Sequence, residues 1–350
     1  MDRNINAIIA EAVKRRASDI HICCDCPVKL RIDGSLVDYD EHILTPEDCE
    51  SYAREISPRF EQIAGIGEQD LSVSFGRDVR CRVNIYRERG TCAVAMRLLN
   101  NRIPAFEELG LPSVVNELIR LKKGLVLVTG QTGSGKSTTL AYMINEINKN
   151  QCRHIITFED PVEYIHLPQK SVINQREIGV DTRSFKDGLN SVLREDPDVI
   201  MIGELRTLDE IEAALTVAET GHLVLASLHT NSAAETVDRI VDVFPPQQQN
   251  QVRLQLSMTL SAVICQQLLP HVCGKGRVLA TEVMMMNGAV SNLIRESKTP
   301  QIENAIATSG DIGSHLMDND LITHYKKCRI SREEAIRAAR NVEYVQRSVR

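Results

Sequence analysis

Two rhythms of hydrophobic positions divide this chain of 350 residues. Over the first hundred residues, short β-prone runs at 19–22, 28–32, 71–75, 80–86 and 92–98 mix with helix-period stretches at 4–14 and 46–56. That mixture predicts an α+β domain over residues 1–99. Residues 100–112 hold Pro104, Pro112, Gly110 and several polar side chains, a composition that breaks helices and strands and suits a linker. Beyond it, continuous apolar runs at 125–129, 155–158, 199–202 and 223–227 are separated by helix-sized stretches. Strands of that kind are buried on both faces, which predicts a parallel sheet and an α/β domain over 113–350. From 245 onward the pattern reads as mainly helical, at 247–267, 289–295, 300–307 and 331–340. No internal repeat or low-complexity tract interrupts it.

The length suits two domains, each large enough to bury its own core. Hydrophobic residues make up 43% of the chain and charged ones 25%, the balance of a folded globular protein rather than a disordered one. Net charge is −6, so no global basic field draws the chain to nucleic acid, and no nucleic-acid partner is expected. No apolar run reaches the roughly 18 residues of a membrane span, and residues 1–16 are polar and mixed in charge. The expected location is therefore the cytosol, with the ten cysteines reduced. Cys23, Cys24 and Cys26, with His21 nearby, form one cluster, but their spacing does not match the Cys-x-x-Cys knuckle of a zinc site.

One motif carries the chemistry. Gly130-Gln131-Thr132-Gly133-Ser134-Gly135-Lys136-Ser137, with Thr138 after it, follows the strand at 125–129 and opens a helix. Glycines let successive N–H groups turn inward around a β-phosphate, and the helix N-terminus adds positive charge. Lys136 can bridge the β- and γ-phosphates, and the Ser137 hydroxyl can ligate Mg²⁺.

Three further segments gain meaning from that loop. Glu159-Asp160-Pro161-Val162-Glu163 ends the strand at 155–158, where a carboxylate can reach an attacking water, although a solvated loop accounts for these acids equally well. Glu204 follows the apolar run at 199–202, the position of the acid that holds Mg²⁺ through water in phosphate-loop ATPases. His222 and His229 bracket the strand at 223–228. A lone histidine beside an apolar run is more often structural than catalytic.

Taken in order, the phosphate loop, the acidic box, Gly203-Glu204 and the histidine box at 220–230 resemble the secretion ATPase superfamily, most closely its pilus retraction (PilT-type) members. The resemblance runs from Ala17-Ser18-Asp19-Ile20-His21 to Ile330-Ser331-Arg332-Glu333-Glu334-Ala335. It implies a PAS-like N-terminal domain joined to a RecA-like ATPase domain. Six copies would form a ring with ATP and Mg²⁺ bound between the domains, acting on an inner-membrane platform protein. It also implies Glu163 as general base, Glu204 as Mg²⁺ partner and His222 as sensor of the γ-phosphate. Phosphate-facing arginines would come from the run Arg80 to Arg87 and from Arg97, with Arg82, Arg87 and Arg97 as the candidates. Alternation along a strand puts Arg80 and Arg82 on one face.

Pilus assembly and type II secretion ATPases usually carry an extra N-terminal domain and a four-cysteine zinc insertion. Here only Cys265 and Cys273 fall in the matching region. Ala289-Val290-Ser291-Asn292-Leu293-Ile294-Arg295-Glu296 resembles the retraction family's Ala-Ile-Arg-Asn-Leu-Ile-Arg-Glu helix, with Ser291 in place of the arginine. The expectation is a force-producing ATPase. A pilus assembly or secretion ATPase, a weakly active regulatory ring member, and a nucleic-acid translocase on the same core stand as alternatives.

Overall fold

A computed structural model describes residues 4–32, 34–57, 60, 67–76, 79–99 and 102–350. The expected linker begins at Asn100 and Asn101, which lie outside the described residues. The chain forms two units: one comprises 1–102 with 161–165, the other 103–160 with 166–350.

In the first unit, helix α1 (Ile5–Lys14) is followed by strands β1 (Asp19–Ile22), β2 (Lys29–Ile32) and β3 (Ser35–Asp38). Helix α2 (Pro46–Ile56) and strands β4 (Glu68–Phe75), β5 (Val79–Glu88) and β6 (Thr91–Leu99) come next. Asn4 caps α1 by accepting from the Ala7 N–H. A capping box between Thr45 and Asp48, with Pro46 in the first turn, starts α2. The strands form an antiparallel sheet in the order β3-β2-β1-β6-β5-β4. Its inward residues, among them Ile20, Ile22, Leu30, Val83, Ile85 and Met96, pack with Ile5, Ile8 and Ile9 of α1 and Tyr52, Ala53 and Ile56 of α2. β3 went unread in the sequence because all four of its residues are exposed.

The second unit contains β7 (Gly124–Thr129), α3 (Lys136–Asn150), β8 (His154–Glu159), β9 (Val172–Glu177) and α4 (Phe185–Val192). These are followed by β10 (Val199–Ile202), α5 (Leu208–Glu219), β11 (Leu223–Leu228), α6 (Ala233–Asp242) and α7 (Pro246–Thr259). Then come β12 (Leu260–Pro270), β13 (Arg277–Met285), α8 (Gly288–Arg295), α9 (Met317–Lys326), α10 (Arg332–Ala338) and α11 (Val342–Ser348). Its sheet order is β13-β12-β7-β11-β10-β8-β9. All neighbours run parallel except β13, which is antiparallel to β12. Every residue of β7, β10 and β11 is buried, as strands covered on both faces require.

One expected element fails. The sequence predicts a helix across 247–267, but α7 ends at Thr259 and the chain continues as β12 beside β7. The run Leu260, Ala262, Val263, Ile264, Cys265 is almost wholly buried, and periodicity cannot tell a buried strand from a buried helix over so few residues. β13 follows from the same misreading, so the region beyond 245 is not mainly helical until α8. On α8, the Ser291 hydroxyl donates to the Ser257 carbonyl at 2.9 Å and docks the helix on α7. Among the described residues no helix is long and apolar enough to cross a membrane.

Candidate active site

In the second unit the carboxyl ends of β7, β8, β10 and β11 share one edge of the sheet, where ligands of open α/β folds bind. The loop leaving β7 there needs glycine. Gly130 has φ of +142°, and a Cβ on it would lie 2.4 Å from the Gln266 carbonyl oxygen. Gly135, at φ +93°, turns the chain into α3. Lys136, buried at the start of that helix, donates from Nζ to the carbonyls of Gly130 (2.8 Å) and Gln131 (3.1 Å).

A line of polar contacts leads outward from this lysine. Its Nζ lies 3.4 Å from His229 Nδ1, and His229 Nε2 lies 3.1 Å from Glu204 Oε1. An ammonium can only donate, so Nδ1 accepts and the ring proton sits on Nε2, which donates to the carboxylate. Arg206 closes the line with a 2.8 Å bond to Glu204 Oε2. Burial alone would push the Glu204 carboxyl up, but the hydrogen bonds from Arg206 and His229 and the Arg206 charge more than offset it and hold it below the usual carboxylate range.

The two histidines of this box lie at opposite ends of β11. His222 precedes β11 and His229 follows it, and β11 runs parallel to β7. The His222 carbonyl accepts from Gly124 N at the start of β7, while its ring lies 3.1 Å from the Val217 carbonyl. His222 thus sits about 20 Å from the phosphate-loop edge of its own chain, the length of a six-residue strand. In this chain His229, not His222, stands beside the loop. The signal was present in the sequence, since the histidine after a parallel strand shares its edge with the loop after the neighbouring one.

Glu159 ends β8 on the same edge, buried, and accepts from Thr157 (2.6 Å) and Gln175 (3.2 Å). Glu163 is exposed and falls in the 161–165 segment that groups with the first unit. There the carbonyl of Val162 accepts from Arg80 Nε at 2.7 Å. Arg80 and Arg82 project from the outer face of β5, whose inner face carries Cys81, Val83 and Ile85. Arg82 is directly opposite Arg97 of β6, and Arg97 is held by Asp19 at 2.9 Å. Arg87 does not join them. It falls on the inner face, where it reaches Glu50 at 3.5 Å and the Gly90 carbonyl at 3.2 Å.

Next to the phosphate loop, residues 131–134, residues 266–269 of β12 and Arg337 and Ala338 of α10 line a cleft of about 330 Å³. Cys265, one residue before that lining, contacts Thr129 at 2.8 Å, and burial pushes its thiol up to about 12.

The model of the family described as Type II/IV secretion system protein matches residues 1–345. The chain belongs to that family. It is 41% identical over 337 residues to the type IV pilus retraction ATPase PilT of Pseudomonas aeruginosa, covering 95% of this chain and 97% of that one. It is 48% identical over 282 residues to a twitching motility protein of Neisseria gonorrhoeae, covering 79% and 75%. Among solved structures, the pilus retraction motor PilT with bound ADP superposes at a TM-score of 0.93 with 45% identity, covering 99% of this chain and all of that one. The ATPase DotB of Legionella pneumophila superposes at 0.78 with 27% identity, covering 96% of both chains. The retraction-type resemblance read from the four boxes thus extends over nearly the whole fold.

Proposed function

We infer that this family member is an ATP-hydrolysing motor of type IV pilus retraction. The observation that carries the reading is the line from the phosphate-loop Lys136 through His229 to Glu204, on the sheet edge where its ADP-bound structural relative has the same fold. In this reading the loop amides and Lys136 take the β- and γ-phosphates, and the adjacent cleft takes the rest of the nucleotide. His229 registers whether the γ-phosphate is present, because a phosphate that draws Lys136 away breaks its contact with Nδ1.

The residues at this edge suit Mg²⁺. Ser137 and Glu204 supply a hydroxyl and an ionised carboxylate, hard oxygen donors of the kind this cation takes, while the protonated Cys265 thiol is no competitor. Bound there, Mg²⁺ would offset charge on the transferring phosphoryl group. Glu163 is the proposed general base, and Arg82 and Arg97 are the proposed phosphate-facing pair. Arg87, which reaches Glu50 and the Gly90 carbonyl, is proposed as a structural residue. Closure of these first-unit groups on a phosphate loop is assigned to a homo-hexamer at the inner face of the cytoplasmic membrane, working against a platform protein.

Deleting the gene and scoring pili and surface motility tests the function. Excess pili with lost motility is the expected outcome, whereas absent pili would assign the chain to assembly. Lys136→Ala or Glu204→Ala should abolish steady-state phosphate release. Turnover within threefold of wild type in either would remove the site from this sheet edge.

A further inference from the structure

Beyond the residues already discussed, the second unit contains one fully buried carboxylate. Glu282 of β13 is 1% exposed, and a charge so placed must be paired and hydrogen-bonded. Its Oε1 accepts from the Ala233 N–H in the first turn of α6, at 2.9 Å. Its Oε2 accepts from Arg340 Nη1, with the Met317 N–H at the start of α9 3.5 Å away. The second arm of the same guanidinium, Nη2, donates to the carbonyl of Asn231.

Arg340 is itself fixed from behind. Asp318 of α9, also buried, accepts from the backbone N–H of Arg340 through Oδ1 and from that of Asn341 through Oδ2, both at 2.9 Å. The guanidinium therefore joins two things: the turn between α10 and α11, and the turn that leaves β11. Asn231 is two residues beyond His229. The intervening Thr230 is buried, with its hydroxyl 2.7 Å from Thr236 of α6. A displacement of Asn231 thus has a short, packed route to the imidazole.

We propose that Arg340 is a positioning residue for hydrolysis: its two-armed grip on Glu282 and the Asn231 carbonyl holds the His229 turn against the phosphate loop and couples it to the C-terminal helices. The catalytic part of this proposal rests on the reading of His229 given above. The positioning part does not. A planar fork is required, because one nitrogen must satisfy the buried carboxylate while the other reaches the carbonyl. A lysine can keep the ion pair but presents one nitrogen where two are used.

Hydrogen exchange of the full chain, with ADP affinity and turnover measured on the same samples, tests this. In Arg340→Lys, amides of residues 229–235 should exchange at least tenfold faster, with α3 unchanged. Affinity for ADP should stay within twofold while kcat falls at least fivefold. Unchanged exchange in 229–235 overturns the proposal, as does faster exchange with wild-type kcat. If Arg340→Lys does not fold, the double variant Glu282→Gln with Arg340→Gln, which leaves no lone buried charge, takes its place under the same criteria. A wild-type chain that hydrolyses no ATP sinks the functional reading alone and leaves the exchange data to judge Arg340.

Discussion

The two histidines of one box give the sharpest test at the level of single residues. His229→Ala removes the ring that links Lys136 to Glu204, so kcat should fall at least tenfold, a barrier increase of about 1.4 kcal/mol, while ADP affinity holds. His222→Ala should leave single-site chemistry within about threefold, because its ring lies at the other end of β11. Phosphate release by both variants decides between them, and equal losses would refute the assignment. Glu163→Gln should bind nucleotide yet not hydrolyse it, since an amide keeps the shape but cannot take a proton from water. Should it turn over normally, Glu159 becomes the acid to examine.

Acidity gives a further check on Glu204. Its carboxyl is held below its ordinary value, so the folded state gains stability from it above that value and loses the gain as pH falls through the depressed pKa. Melting of Glu204→Gln should therefore trail wild type at pH 6 by the equivalent of under about 1 kcal/mol, the group being partly exposed. The gap should close as the pH is taken below the usual carboxylate range. A gap that widens in acid would contradict the pairing. The sequence made the phosphate loop and Glu204 legible because their chemistry is local. Arg340 and Glu282 carried no such signal, as their meeting depends on a strand and a turn 58 positions apart.

Among elements, α4 sets two known effects against each other. Gly188 lies inside this helix, where alanine is preferred by about 0.5–1 kcal/mol. A Cβ there, however, would lie 2.4 Å from the buried Phe158 ring of β8. Overpacking of that kind costs about 1–3 kcal/mol, so Gly188→Ala should lower the denaturation midpoint, and a raised midpoint would show that the ring can yield. Strands β7, β8, β10 and β11 were readable because each is a short apolar run, whereas β9, with Asn174, Gln175 and Arg176 in it, went unread. β12 was not readable either, because α7 passes into it at Leu260 without a glycine or a proline.

For the whole molecule, the outer face of β5 and β6 sets the expectation. Arg82 and Arg97 face each other across neighbouring strands, where Asp19 offsets part of their charge and a phosphate would offset the rest. Hydrolysis should rise with protein concentration as hexamers form, and Arg82→Ala or Arg97→Ala should slow it at least tenfold without loss of nucleotide binding. Arg87→Ala should spare turnover. Sedimentation with ATP and Mg²⁺ beside activity assays would reveal a fully active monomer, which would end the ring mechanism.

The grouping of residues 161–165 with the first unit also reaches into biosynthesis. β6 ends at Leu99, whereas the Val162 carbonyl that receives Arg80 emerges from the ribosome 63 residues later. At about 5–20 residues per second, that is a delay of roughly 3–13 seconds. Throughout it, Arg80 waits on the translation of the neighbouring unit for the Val162 carbonyl, so the two units are interleaved in the order of their making.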